Sequence, residues 1–508
     1  MIVENNIRAE IRPVKNPFFN KNSFWLMGAL IFFAIIKIFI AVHFELNSEE
    51  AQYWTWSKHL QLSYYSKPPM IAYMNWFSTL VFGNTVLGIR INAVIIGMLI
   101  SIVSYLLSFE LFKNQNAAIL AAMATNFFPF LLYSSVFFST DSPLLLFWLC
   151  AMLFYWKALE TDKLKWWFLF CVSLGLGALA KYAMFLMIIP LVLFTWKHQR
   201  EILKSLSFYF SLVIGLAIFF PVIYWNIQQN GVGLLHLAHL AGAGEHPYTI
   251  STMISNVLVF ALGQGAILLP FYQYPKISRK YRQKTLTRQE EFLILPVIIT
   301  FLIFLIVSAN RESEAYINWA MFAYMGMPIL FSHYALTDHR LKFNLRIILL
   351  MTTAFFLFIS LTSPKNTVAP LGKLNPANKM IGWSQLAAKV DSMKDTLLPG
   401  SYYVFSSNYH ITSELWFYQK SQPVTYLLNL NSRMTQFDLW PGIEQFRNSD
   451  KIGIFVDRIK ISPEVKASFT SILKEDSCTI YSQNRHIITY YIYTLKGMKE
   501  FHKQLSSY

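Results

Sequence analysis

The chain is poor in charge. Only 14% of its 508 residues are Asp, Glu, Lys or Arg, whereas a soluble domain carries about a quarter. It is poor in cysteine as well. There are three, of which Cys150 and Cys171 lie in apolar runs and Cys478 stands alone near the C-terminus. They offer no disulfide framework and no zinc-ligand spacing. Internal repeats and low-complexity tracts are lacking. A cleavable signal peptide is not expected either: the first apolar run is about 20 residues, too long for an h-region, and no small-residue cleavage site follows it. It reads as a signal anchor. What fills the space left by charge is apolar, at 55% hydrophobic residues. The net charge of +16 does not point to nucleic acid, because the basic residues fall in short loops between apolar runs, where insertion topology explains them. The composition is that of a polytopic membrane protein.

Runs long enough to cross about 30 Å of hydrocarbon fall near 24–43, 86–108, 117–134, 143–156, 206–225, 256–272, 292–308, 319–336 and 345–363. The segment 167–196 is interrupted at Ala180-Lys181-Tyr182 and reads as two short helices meeting at one membrane face. The prediction is a polytopic α-helical protein with about eleven transmembrane helices. With the N-terminus cytoplasmic, most Lys and Arg fall inside, and the outer loops keep only Lys58, Lys67, Lys181 and Arg311. The positive-inside rule therefore favours that orientation, and an odd number of spans puts the C-terminus outside. From about Pro364 the pattern changes. A helical stretch, "KMIGWSQLAAKVDSM", precedes short strand-like runs, "SYYVFS", "VTYLL" and "KIGIFV", and a hairpin around Gln483-Asn484. The expected organisation is a cytoplasmic tail over 1–23, a membrane domain over 24–363 with an outer loop at 45–80, and an extracytoplasmic α/β domain over 364–508.

The outer loop opens with "ELNSEEAQYW", residues 45–54, directly after the first span. Asn47 can N-cap a helix with Glu50 three residues on, as in a capping box. Acids in a first turn also suit the helix dipole. Tyr53, Trp54 and Trp56 suit an amphipathic helix in the membrane interface. "LSYYSKPPMIAYMNW" follows. Pro68 biases Lys67 toward an extended conformation, and Pro69 can start the next helix. Lys67 is then either an interfacial snorkeller or a cationic seat for a lipid phosphate. Asp141, in "STDSPLLLFW", is either a helix N-cap or a third acid on the same membrane face. Ionisable groups near the membrane are functional candidates by default.

These stretches resemble the bacterial PMT-type glycosyltransferases, GT-C membrane enzymes that include lipid A aminoarabinose transferases and protein O-mannosyltransferases. The similarity runs from "ELNSEEAQYWTWSKHLQLSYYSKPPMIAYMNW" through "STDSPLLLFW", "ALAKYAMFL", "FPVIYWNIQQNG" and "INWAMFAY", and continues in the tail with "SELWFYQKSQPVTY" and "RMTQFDLWPG". The resemblance implies transfer of a sugar from a polyprenyl-phosphate donor, undecaprenyl phosphate, to a lipid or protein on the outer face of the bacterial inner membrane. No cofactor and no metal is implied. Where the family carries Asp-Glu, this chain has Glu49-Glu50. Glu49 matches the aspartate held catalytic but reaches about 1.5 Å further. The resemblance makes Glu49, Glu50 and Asp141 the catalytic candidates, and makes Lys67 the donor-phosphate contact with Lys181 as a second.

Chemistry of this kind needs little general acid, since a lipid phosphate is already a good leaving group. Lys67 would stabilise charge developing on it, and a carboxylate would orient the acceptor or take its proton. Trp54, Tyr64, Tyr65 and Tyr182 are candidates to line the cavity, against the reading of aromatic belt residues. Lys37, inside the first span, has no assigned role. His236, His239, Glu245 and His246 form a polar loop that resembles a metal site only in composition. Arg433, Gln436 and Asp438 read as domain packing. Lipid A is the favoured acceptor, with a protein hydroxyl as the alternative. A transporter is the competing class, but one interrupted helix without a counterpart fits it poorly.

Overall fold

The computed structural model describes residues 21–241, 249–268, 274–311, 317–337, 379–430, 433–482 and 484–499. The expected span at 345–363 lies outside them, as do Glu245 and His246. In chain order the membrane portion contains α1 (Lys21–Ala41), α2 (Ser48–Ser57), α3 (Met70–Phe82), α4 (Val86–Phe112), α5 (Gln115–Ala124), α6 (Pro129–Ser134), α7 (Asp141–Thr161), α8 (Leu164–Ala180), α9 (Ile188–His198), α10 (Leu206–Gln228), α11 (Val232–Leu240), α12 (Ile250–Leu268), α13 (Tyr274–Arg282), α14 (Arg288–Ala309) and α15 (Met327–Thr337). Among the described residues six helices, α1, α4, α7, α10, α12 and α14, are long and apolar enough to cross a membrane. The shorter apolar helices work in series. The run at 117–134 is split into α5 and α6, and the run at 319–336 starts as a 3-10 helix (Ile317–Gly326) before α15. The interruption expected at Ala180-Lys181-Tyr182 is present: α8 stops at Ala180, Lys181 is extended (φ −159°, ψ 136°), and a 3-10 helix (Tyr182–Met187) leads into α9.

Local chemistry sets the helix ends. Thr85 accepts from the Gly88 N–H to start α4, and Thr287 with Glu290 forms a capping box at α14. α4 and α7 are mostly buried and form the centre of the bundle. α1, α10 and α12 instead expose Phe39, Phe210 and Leu262, the apolar surface a bilayer requires. α8 and α10 approach closely at Gly175, where a Cβ would stand 2.7 Å from Ile218 Cβ, the small-residue packing expected of membrane helices. Lys37 is buried inside α1 and donates to Asn126 Oδ1 (2.8 Å), which removes its need for an acid.

The C-terminal domain is an α/β unit with α16 (Trp383–Lys394), α17 (Tyr409–Tyr418) and α18 (Pro463–Ala467) around a five-stranded sheet. Its strands are β1 (Tyr402–Ser406), β2 (Thr425–Leu427), β3 (Ile452–Asp457), β4 (Phe469–Ser482) and β5 (Arg485–Met498), in the order β2-β1-β3-β5-β4. β1 is parallel to β2 and β3, and β5 is antiparallel to β3 and β4. The strand-like runs of the sequence are these strands, and Asn484, at φ 63°, turns the β4–β5 hairpin. The domain is not tethered loosely. α17 lies on α2, with the Trp54 ring edge-on to Phe417 (5.0 Å) and Trp416 (6.1 Å). Trp416, Phe417 and Phe437 belong to the same apolar core as α4 and α7. That core seats the first loop between the two domains.

Candidate active site

The three acids of the first loop have three different fates. Glu45 caps the other domain: its carboxylate accepts from the Trp383 N–H (2.7 Å), the Ser384 N–H (3.0 Å) and the Ser384 hydroxyl, at the N-terminus of α16. Glu50 is buried. It completes a capping box, accepting from the Asn47 N–H (3.0 Å), and it also accepts from the Phe138 N–H (3.0 Å) and from Arg90 Nε (2.9 Å) and Nη2 (2.6 Å). Arg90, on α4, is fully buried and spends its other donors on the Ala41, Phe44 and Glu45 carbonyls. One ion pair thus ties α2 to α4, to the end of α1 and to the turn before α7. Glu49 is exposed, and among the described residues its carboxylate accepts no hydrogen bond.

Lys67 sits on the elbow the two prolines make. Its carbonyl accepts from the Tyr64 N–H (3.1 Å), Pro68 and Pro69 are buried, and α3 starts immediately after them. The side chain is half-buried, and among the described residues no carboxylate pairs with its ammonium. Burial pushes Lys67 down to about 8, with Lys181 and Arg433 adding to the effect and Glu49 and Asp141 opposing it. These five groups therefore share one field.

Asp141 opens α7 but does not cap it. Thr140 holds the N-cap position without a side-chain bond, and the Asp141 carboxylate pairs with Lys181 Nζ at 2.7 Å. Lys181 reaches it from the break between α8 and the 3-10 helix. Asp141 lines a cavity of about 600 Å³ whose described walls include Tyr133, Ser139, Leu145, Asn318 and Phe322. A mostly apolar cavity with a few convergent polar groups is the shape a lipid-borne substrate needs.

The aromatic candidates are placed differently from expectation, and none of the four lines this cavity. Trp54 is fully buried under α17 and donates to Asn84 Oδ1 (3.1 Å). Tyr64, also fully buried, stacks on Trp56 (4.6 Å) and donates to the Trp56 carbonyl (3.0 Å). Tyr65 packs against His236 (4.8 Å), and Tyr182 against Phe219 (6.0 Å). For Trp54, Tyr64 and Tyr65 the reason is the same: the C-terminal domain and the neighbouring helices cover surfaces that an isolated loop would expose. Burial, with Arg433 and Lys67 nearby, pushes His236 down to about 4, so it is a neutral side chain at pH 7. Sequence reasoning missed Arg90 and read Tyr53 only as an interfacial aromatic. An arginine inside the apolar run after Thr85 was itself a signal, since such a charge demands a buried partner. Tyr53 is buried within the field of Glu49, Asp141 and Tyr409, and burial first and those groups second raise its pKa well above the usual phenol value.

Residues 66–225 match the family described as dolichyl-phosphate-mannose-protein mannosyltransferase. The chain is 27% identical over 309 residues to the lipid A galacturonosyltransferase RgtD of Rhizobium johnstonii, covering 60% of this chain and 63% of that protein. It is 28% identical over 161 residues to undecaprenyl phosphate-alpha-4-amino-4-deoxy-L-arabinose arabinosyl transferase 2 of Proteus mirabilis, covering 30% and 29% respectively. The matches thus span less than two thirds of either curated relative. In fold, the chain is similar to ArnT from Cupriavidus metallidurans bound to undecaprenyl phosphate, with a TM-score of 0.62 at 13% identity, over 93% of this chain and 98% of that one. The apo form of that protein gives a TM-score of 0.60 over the same shares. The shared architecture includes both the helical bundle and the C-terminal domain.

Proposed function

We propose, for a chain that belongs to the PMT-type GT-C membrane glycosyltransferases, that it transfers a sugar from a polyprenyl-phosphate carrier to lipid A or a related envelope glycolipid. The observation that carries this reading is that Lys67, which no carboxylate pairs with among the described residues, and the exposed Glu49 share one field with Asp141, which walls an apolar cavity. The donor enters with its phosphate against Lys67 and its chain along the apolar wall. The bond between the anomeric carbon and the phosphate oxygen breaks, and its electron pair leaves on the lipid phosphate. Lys67 stabilises that charge electrostatically. An acceptor oxygen forms the new bond from the opposite face. A hydroxyl acceptor gives its proton to Glu49, and a phosphate acceptor needs no base, leaving Glu49 to orient it. Asp141 is held to Lys181, so this pair orients the sugar, and Lys181 reaches the donor phosphate only by exchanging Asp141 for it. Arg90 fixes Glu50, and with it the first turn of α2 that carries Glu49, so Glu50 is a positioning residue and does not meet substrate. Tyr64 and Tyr65 shape the Lys67 elbow.

The names of the curated relatives support lipid A as acceptor, and the ligand of the related crystal structure supports undecaprenyl phosphate as carrier. Loop charge supports an inner-membrane protein with a cytoplasmic N-terminus and a periplasmic C-terminal domain. The description of the matching family favours one second reading, transfer to a protein hydroxyl. Mass spectrometry of lipid A from cells with the wild-type chain, with none, and with Glu49→Gln, Lys67→Ala or Asp141→Asn tests the proposal. One sugar-sized increment should be missing in all but the wild type, with each variant present in the membrane. Unchanged lipid A in the cells lacking the chain would defeat the lipid A reading and move the protein acceptor forward.

A further inference from the structure

Arg433 belongs to a turn that is firmly built for an exposed segment. Asp438 Oδ2 accepts from the Thr435 N–H (2.8 Å), the Thr435 hydroxyl (2.9 Å) and Asn429 Nδ2 (2.9 Å). Asn429 Nδ2 also donates to the Arg433 carbonyl (3.0 Å). The turn is then latched onto the membrane domain. Gln436 is buried, its Oε1 accepts from the Tyr65 N–H (2.7 Å), and its Nε2 donates to Gln61 Oε1 (3.3 Å). Tyr65 stands two residues from Lys67, so the latch brings a guanidinium of the C-terminal domain to the lysine of the first loop.

Nothing within the described protein uses that guanidinium's charge. Arg433 is exposed, its side chain makes one hydrogen bond, from Nη2 to the Tyr409 hydroxyl (3.3 Å), and no carboxylate pairs with it. Its field reaches Lys67, His236 and His410. Neither acid of the site pairs with it: Asp141 is paired with Lys181, and the fields of Glu49 and Asp141 act on Lys67. Two cations in one field repel each other, and an anion bound between them relieves the repulsion. A guanidinium adds a fork that matches carboxylate and phosphate geometry.

We propose that Arg433 is a specificity-determining residue, binding an oxyanion of the substrates other than the donor phosphodiester: a phosphate of the acceptor glycolipid or a carboxylate on the transferred sugar. The site is then built from both domains, and the Gln436 latch fixes the distance between its two anion contacts. The inference rests on the transferase reading, in which Lys67 holds the donor phosphate.

Binding to the purified full-length chain in detergent tests it without requiring turnover. The probes are undecaprenyl phosphate, lipid A with both phosphates and with neither, and polyprenyl phosphate carrying galacturonic acid or galactose. Arg433→Ala should weaken one charged probe about tenfold or more, to the level of its uncharged counterpart, as expected for a charge-assisted contact. It should leave undecaprenyl phosphate within about twofold. Lys67→Ala should do the reverse, and Arg433→Lys should recover only part of the affinity, because an ammonium lacks the fork. Loss of the contrast between the two lipid A forms assigns an acceptor phosphate; loss of the contrast between the two sugars assigns a sugar carboxylate. Arg433→Ala binding every probe as the wild type does, or weakening charged and uncharged probes alike, overturns the proposal. Failure of the wild type to bind undecaprenyl phosphate would instead remove the transferase reading, and this proposal with it.

Discussion

Glu49 and Glu50 are neighbours of the same type, yet exchanging each for glutamine should have opposite consequences. Glu50→Gln keeps the shape of the side chain and removes its charge. It leaves Arg90 buried with no counter-ion and presents an amide NH₂ to N–H donors from Arg90, Asn47 or Phe138. Breaking a buried pair in this way costs roughly 3–5 kcal/mol. Glu49→Gln touches an exposed side chain that accepts no hydrogen bond among the described residues, and such changes stay within about 0.5 kcal/mol of stability. Its cost should fall on transfer, by about 10²- to 10⁴-fold if the carboxylate acts as base. Thermal unfolding of the solubilised protein, read beside lipid A mass spectrometry, separates the two. Glu50→Gln should melt well below the wild type, and Glu49→Gln should melt with it while transferring little. Replacing both partners, Glu50→Leu with Arg90→Met, removes the unpaired charge and should recover most of the lost stability. A Glu50→Gln protein that melts with the wild type would refute the assignment of Glu50 as a positioning residue, as would a double variant no better than the single one.

Three further expectations follow from the geometry. Lys67, with its midpoint near 8 in the free protein, is an ammonium below that pH and an amine above it. Therefore kcat/KM for the polyprenyl donor should fall as pH rises through 8, and kcat should fall later because bound phosphate favours the ammonium; a wild-type profile flat to pH 9.5 would count against the role. Glu414, in α17, is fully buried with neither carboxylate oxygen hydrogen-bonded, and burial first, then Glu45 and Glu50, raise its pKa well above the usual carboxyl value. Folding then binds a proton that the unfolded chain releases above about 4.5, so this residue makes the protein less stable as pH rises from there toward the folded pKa. Glu414→Gln should melt no lower than the wild type at pH 7 and lose that slope; a lower melting temperature would reject a neutral Glu414. Glu45→Ala removes the acceptor at the start of α16, worth about 1–2 kcal/mol for a cap, and should speed amide exchange over 383–394 while leaving α4 and α7 protected. Unchanged exchange there would show that the apolar α2–α17 contact alone holds the domain.

Much of the architecture was legible because membranes and sheets impose local rules. A span needs about 20 apolar residues in a row whatever surrounds it. A lysine in the middle of such a run, Lys181, marks a break, and the break is there. The Asn47–Glu50 capping box and the β4–β5 hairpin are also short-range features, readable from a few adjacent residues. The candidate site residues were legible as a group, since acids and a lysine next to apolar spans need a reason to be there, and the structure puts Glu49, Lys67, Asp141 and Lys181 in one field. Their individual tasks were not. Adjacent residues on a helix point about 100° apart, and which of Glu49 and Glu50 turns inward depends on where α4 places Arg90, forty residues later in the chain.

The sequence by itself determined that this chain threads a membrane and carries an α/β domain, and it singled out Glu49, Glu50, Lys67 and Asp141 as candidates. Runs, alternation and caps are encoded within a few turns of backbone. Only the tertiary structure decided that Glu50 is locked to Arg90 while Glu49 is left open, that Asp141 is held by Lys181, and that Trp54 under α17 and Tyr64 against Trp56 are core. It also decided that Arg433 comes to Lys67 from another domain. Each of these depends on a pairing between residues tens to hundreds of positions apart, and a buried charge or ring finds its partner only when the helices that carry them pack.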